Sequence, residues 1–352
     1  MIDTMEIYAD ITRETYDKLY ALTDKAAREI SNAAQPLHKA KNKENLYKTT
    51  AFSPLGFLEI GFQKDKKFKK YKIRLKLKPI RLLHPNSNIR LSNLDDFKKI
   101  STQFQYLFYS QYNDHFDDLP SCLGDWKVTR IDYAINIHTD YVNEYIKLFH
   151  LGFRPKSCKY PSDYETSYYL KGTEYNVNFY NKLKQLREVK DISYEELFYK
   201  TNCNSDRIMR LEVQCKSKYI YRFIEKGIIP STKLKYLWDK EIAERCIKNV
   251  VKKLIGAENF CTIDAALKKI HEKHENKFTV KCYEVMSFFL NYPEASLEDA
   301  VQGIPFPEKL KRLIAKMRKD GINPIPLDAV IKREIYDKNF TLKNPYHMIN
   351  FK

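Results

Sequence analysis

Three stretches of the chain alternate apolar and polar residues with period two, which marks strands with two different faces. In Y-N-V-N-F-Y-N-K, running from Tyr175 to Lys182, Val177 and Phe179 share one face, and Asn176, Asn178, Tyr180 and Lys182 share the other. In V-T-R-I-D-Y-A-I-N-I-H, Ile131, Tyr133, Ile135 and Ile137 oppose Arg130, Asp132, Asn136 and His138. In R-I-M-R-L-E-V-Q-C-K, Met209, Leu211, Val213 and Cys215 oppose Arg210, Glu212, Gln214 and Lys216. Paired side by side, these strands bring a tyrosine, two carboxylates and several cations onto one surface. A polar strand face inside a sizeable domain is either wetted or at work.

Similar patterns predict further strands over 4–11, 51–62, 70–79 and 166–171. A helix is expected over 13–30, capped by the Thr12 hydroxyl, and another from Ser92 or Asn93 to Phe108. Shorter helices are expected over 141–149 and from about Ser193, and Gly172 suits a turn between strands. The lysine-rich segment 35–49 reads as an exposed loop. Beyond Ser217 the signals become helical, over 234–255, 263–274, 283–290, 297–303 and 307–317, with Pro293, Gly303 and Gly321 as punctuation. The order β-α-β-β-α followed by β-α-β-β-α-β predicts an α+β fold in which one small unit is used twice, over 1–112 and 127–217. The two copies form one broad antiparallel sheet with helices on one face. A mostly helical domain, 218–352, follows. The expectation of a repeat rests on order alone, since the halves share no obvious sequence.

Charge narrows the function. The 352 residues include 62 Lys and Arg against 45 Asp and Glu, a formal net charge of +17, together with 26 Tyr and 20 Phe. Cations supply partners for phosphates and aromatic rings supply faces for bases, so nucleic acid is the expected partner. Lys72, Arg74, Lys76 and Lys78 alternate on one strand face, about 6.6 Å apart, which suits a DNA backbone or, alternatively, a solvated face whose lysines guard an edge strand. The segment Leu297–Val301 with P-E-K-L-K-R-L-I-A-K-M-R-K reads as a helix-turn-helix with a basic second helix, or equally as the wet face of a packed one. His271 and His274 lack the i, i+4 spacing of a metal-binding helix and read as a solvated patch. Seven cysteines with no C-x-x-C read as reduced thiols of a reducing compartment. The start M-I-D-T-M-E-I-Y is not expected to be a signal peptide, and no apolar run reaches membrane-spanning length.

The chain resembles the replication initiators of filamentous phages and related plasmid-type proteins, the rolling-circle nicking-closing enzymes. The resemblance lies in the M-I-D-T-M opening, I-R-L-K-L-K-P with its H-P-N turn, R-I-D, F-Y-N-K and R-L-E-V, all in family order, and it continues over 310–321. It implies that Tyr180 is the nucleophile, and that Asp132 and Glu212 belong to an acidic cluster holding Mg²⁺ or Mn²⁺. It also implies origin DNA, single-stranded at the nick, as substrate, a host helicase and polymerase as partners, and the cytoplasm of a bacterial host as the setting. Two departures stand out: the chain has no H-x-H, and Arg130 and Asn136 flank R-I-D where relatives place further acids. His138 shares the face of Asp132 but lies about 20 Å further along an extended strand, so it reads as a strand-end histidine.

The residues themselves favour a tyrosine acting on a phosphodiester. An unaided phenol titrates near 10 and needs help as a nucleophile. Lys182, on the face of Tyr180, is placed to stabilise a phenolate, and Arg210 to grip a phosphate oxygen. Two alternatives stay open. One is a non-catalytic single-stranded nucleic-acid-binding module, which gains nothing from acids beside phosphates. The other is a relaxase or transposase with the same chemistry.

Overall fold

A computed structural model describes residues 1–31, 37–40, 45–65, 67–85, 87–109, 116–155, 158–159, 166–190, 207–302, 307–331 and 337–351. The fold is α+β, with a broad antiparallel sheet and a helical C-terminal region. The chain divides into two compact units. The first comprises 1–134, 173–175 and 213–243, the second 135–172, 176–212 and 244–352. A boundary at 217/218 does not coincide with this division. The segment after Ser217 returns to the first unit because its backbone caps a strand there: Val128 N–H donates to Thr232 O, and Leu234 N–H to Trp126 O, each at 2.9 Å.

In the first unit, β1 (Ile2–Ile11) leads into α1 (Arg13–Ser31), and Thr12 caps that helix as its position predicts, its Oγ1 accepting from Thr15 N–H at 3.2 Å. Strands β2 (His38–Lys39), β3 (Leu46–Thr49), β4 (Phe57–Asp65) and β5 (Lys70–Leu77) follow. Helices α2 (Pro79–Leu83) and α3 (Phe97–Tyr109) then precede β6 (Lys127–His138). The strand order is β2-β3-β4-β5-β1-β6. Strands β2 and β3 occupy the segment expected to be a loop; they are too short to display a period, and Leu46 anchors β3 by being buried. One face of this sheet is apolar. Tyr16 and Tyr20 of α1 pack on Phe62 with centroids 5.7 and 5.6 Å away, while Phe104 and Phe108 of α3 pack on Phe57 and Trp126. The helices therefore cover one face and leave the other to polar residues.

The second unit holds the end of β6, then α4 (Val142–Leu151), β7 (Cys158–Lys159), β8 (Ser167–Gly172), most of β9 (Tyr175–Asn181), α5 (Lys182–Lys190) and the first part of β10 (Ile208–Lys216). The strand order is β6-β10-β9-β8-β7. Its core centres on Phe149, whose ring lies 4.2 Å from that of Phe179 and 5.8 Å from that of Tyr168. The two halves trace one path. β1-α1-β2-β3-β4-β5 has spatial order 2-3-4-5-1, and β6-α4-β7-β8-β9-β10 has order 7-8-9-10-6. The helix expected near Ser193 lies outside the described residues.

Helices α6 (Ser217–Glu225) and α7 (Leu234–Leu237) belong to the first unit. Helix α8 (Lys240–Ile255) starts where a separate helix was not expected, so the single span 234–255 is in fact two helices. Next come β11 (Phe260–Cys261), α9 (Ile263–His271), α10 (Asn276–Asn291), α11 (Leu297–Gln302), α12 (Pro307–Lys319) and β12 (Thr341–Leu342), which pairs with β11. The turn between α11 and α12 is not among the described residues, so no helix-turn-helix is described. Leu310, Ile314 and Met317 of α12 are buried, and Lys316 lies over the Phe278 ring at 4.1 Å. His274, expected to be solvated, sits 2.8 Å from Asp320 and packs on Phe278. No disulfide links the described cysteines, and Cys215, Cys246, Cys261 and Cys282 are buried. No helix among the described residues is long and apolar enough to cross a membrane.

A close approach ties the helical region into the second unit. A Cβ on Gly152, which ends α4, would stand 2.7 Å from Leu254 O and 3.0 Å from Phe149 O. Phe153 N–H donates to that same Leu254 carbonyl at 2.6 Å, so backbone has to shift to admit a methyl group. Gly152→Ala is expected to lower stability by about 1–3 kcal/mol. The check is the midpoint of a urea transition; an unchanged midpoint would mean that the two segments separate at little cost.

Candidate active site

Strand β9 directs Val177 and Phe179, both 0% exposed, into the core. Its other face is not wetted either: Tyr180 is 6% exposed, and on β10 Arg210 and Glu212 are 0% and 5% exposed. Burying charged groups is costly unless they are paired, so this face needs internal partners. The Tyr180 hydroxyl donates to Glu212 Oε2 at 3.5 Å. Arg210 Nε donates to Asn136 Oδ1 at 2.9 Å, which fixes the plane of the guanidinium. Asn136 thus positions a cation, a role that its place in the alternation on β6 does not by itself disclose.

Lys182 reaches the tyrosine by a different route from the one its spacing predicts. It is the first residue of α5 and not the last of the strand. Asn181 Oδ1 accepts from Lys184 N–H at 3.1 Å and starts the helix, so alternation stops before Lys182. The ammonium nevertheless comes back over the Tyr180 ring, 5.6 Å from its centroid, and donates to Gln185 Oε1 at 2.9 Å. Tyr180, Glu212, Arg210 and Lys182 all lie in the second unit.

Asp132 belongs to the first unit and is fully buried. Arg130 holds it with two bonds, Nε to Oδ1 at 2.8 Å and an Nη to Oδ2 at 2.5 Å, and the Thr4 hydroxyl donates to Oδ2 as well. Arg130 also reaches Glu6 Oε1 at 3.2 Å. Burial pushes the Asp132 carboxyl up from the ordinary carboxylate range, against the pull of the Arg130 guanidinium. The alternation gives no hint of Thr4 or Glu6, because their role depends on β1 pairing with β6, where Glu6 stands opposite Arg130.

These placements bear on a metal. Among the described residues no three His, Cys, Asp or Glu side chains converge where an ion could be held. Both oxygens of Asp132 already accept from Arg130 or Thr4, and Glu212 faces a phenol. The two acids that the resemblance implies as metal donors, Asp132 and Glu212, belong to different units. His138 is exposed at the end of β6.

The four cations of the expected DNA track divide. Lys72 lies 3.4 Å from Asp10 and 4.5 Å from the centroid of the Tyr8 ring. Arg74 donates to Gln63 Oε1 at 2.9 Å. Lys76 stands opposite Glu6 on one side and Glu59 on the other. Lys78 lies beyond the end of β5, is 7% exposed and has its Nζ 4.0 Å from Asp3. Three cations share the open face, interleaved with carboxylates, and the fourth does not.

No protein-family model matches the sequence, and no curated protein does. Among solved structures, the rolling circle replication initiator protein from Geobacillus stearothermophilus is similar at 12% identity and a TM-score of 0.32, over 72% of this chain and 84% of that one. A likeness that loose carries no weight for the chemistry.

Proposed function

We propose that the chain is a nicking-joining enzyme acting on one strand of DNA at a replication origin, with Tyr180 as its nucleophile. The observation behind this reading is the buried phenol of Tyr180 on the carboxylate of Glu212, with Lys182 over its ring. Glu212 accepts the phenol proton as the oxygen attacks phosphorus, an approach expected to tighten from 3.5 Å when substrate binds. The Lys182 ammonium offsets the phenolate charge, and Arg210, oriented by Asn136, binds a non-bridging phosphate oxygen. The P–O3′ bond breaks, the 3′ oxygen takes a proton from solvent, and the 5′ phosphate stays on Tyr180. A 3′ hydroxyl attacking that phosphotyrosine reverses the step and rejoins a strand without ATP. Under this reading a host polymerase extends the freed 3′ end, a host helicase opens the duplex ahead of it, and the setting is a bacterial cytoplasm. A relaxase or transposase would use the same step on other ends.

The test is a covalent adduct. Labelled single-stranded origin DNA incubated with the protein and Mn²⁺ is expected to give a band on a denaturing gel that protease removes. A parallel lane with EDTA decides whether Mg²⁺ or Mn²⁺ takes part. The competing reading, a binding module without chemistry, is favoured by the pairing of Asp132 with Arg130, and it predicts binding with no adduct under any condition.

A further inference from the structure

The first unit contains a cavity of about 510 Å³ on the polar face of its sheet, lined among others by Glu6, His38, Lys48, Glu59, Arg74 and Lys76. Its place in the fold is informative. Within its own half, β5 lies between β4 and β1 as β10 lies between β9 and β6. The two strands carry the same alternation with an arginine and a leucine in common, Ile73-Arg74-Leu75-Lys76-Leu77 against Met209-Arg210-Leu211-Glu212-Val213. The arginine is kept, and the position of the Glu212 carboxylate is taken by the ammonium of Lys76.

That exchange changes the chemistry of the face. Glu59 already pairs with Lys48 at 2.6 Å, and Glu6 with Arg130 at 3.2 Å, although both stand beside Lys76 in the register. The positive charge of Lys76 and Arg74 is therefore only partly offset by the acids around them. Arg74 is steadied by Gln63, and its register partner on β1 is Tyr8, whose ring carries the ammonium of Lys72 at 4.5 Å from its centroid. Among the described residues of the lining there is no tyrosine, so the cavity offers cations without a phenol.

We propose that this cavity is a phosphate-binding pocket for a DNA strand, at the position in the first half that Arg210 and Glu212 take in the second. It rests on the reading of the chain as a DNA protein, but not on Tyr180 being the nucleophile. Two sources share the chemistry, an internal phosphodiester and a terminal phosphate.

The experiment uses the full chain and a fluorescein-labelled eight-nucleotide oligothymidine, prepared with and without a 5′ phosphate. Lys76→Glu restores the acid of the other half, and Lys76→Gln removes charge alone should the first variant fold poorly; thermal melting checks both. Lys76→Glu is expected to weaken binding about tenfold or more. The slope of log affinity against log salt is expected to flatten by about 0.7, because one fewer phosphate is neutralised. Millimolar inorganic phosphate should compete with the strand on the wild type and not on Lys76→Glu. A 5′-phosphate advantage that disappears in the variant assigns the pocket to a strand end; equal weakening for both oligonucleotides assigns it to an internal phosphate. Wild-type affinity and slope in folded Lys76→Glu or Lys76→Gln overturn the proposal, as does a wild type that binds neither strand nor phosphate. An adduct assay on the same proteins separates the two readings, since a wild type without adduct defeats the nicking reading and leaves the pocket standing.

Discussion

Tyr180→Phe is expected to abolish the covalent adduct and to lower nicking on the order of 10⁴-fold or more, with DNA affinity nearly unchanged. The substitution keeps the ring, which is 6% exposed, and removes only the hydroxyl that meets Glu212 at 3.5 Å. A hydrogen bond that long is weak, so the folding midpoint should move little. Denaturing gels read the adduct, and anisotropy reads the binding. An adduct that survives would move the nucleophile to another tyrosine. Tyr168 is poorly placed for that role, since it packs against both Phe149 and Phe179 in the core, and Tyr175 packs against Tyr219.

Asp132 and Glu212 are expected to respond in opposite ways. Asp132→Ala removes the partner that receives two bonds from Arg130, and leaves that guanidinium to Glu6. Losing one side of a buried ion pair costs about 3–5 kcal/mol, and the lower end applies because the Arg130 side chain is 24% exposed. Glu212→Gln keeps the shape of the side chain but removes the base, so the rate should fall about 10²–10⁴-fold while the urea midpoint stays close to wild type. Paired urea transitions and single-turnover cleavage separate the two effects. Should Asp132→Ala fold as the wild type does and lose a metal-stimulated rate, Asp132 is a ligand after all, and Arg130 must release it when the ion binds.

Much of this arrangement is legible along the chain. The alternation in β6, β9 and β10 assigns Tyr180, Arg210 and Glu212 to polar faces and Val177, Phe179 and Leu211 to the core, because a strand's period of two follows from its backbone alone. The Thr12 cap, the amphipathic α3 and the repeated order of elements can be read the same way. What that period cannot report is who stands opposite. Partners are set by register between segments far apart in the chain, and a slip of one residue exchanges both faces.

Tertiary structure therefore decided the rest. It joined Asp132 to Arg130 and Thr4, the latter 128 residues away, and it gave Arg210 the amide of Asn136, 74 residues earlier. It turned the chain at Asn181 into α5, so that Lys182 reaches the tyrosine from a helix where alternation expected a strand. It set Lys76 between two carboxylates that answer to other cations, and removed Lys78 from the open face. The sequence by itself determined which faces are polar; only the pairing of strands determined which charges on those faces meet, because cross-strand neighbours lie about 5 Å apart wherever they fall in the sequence.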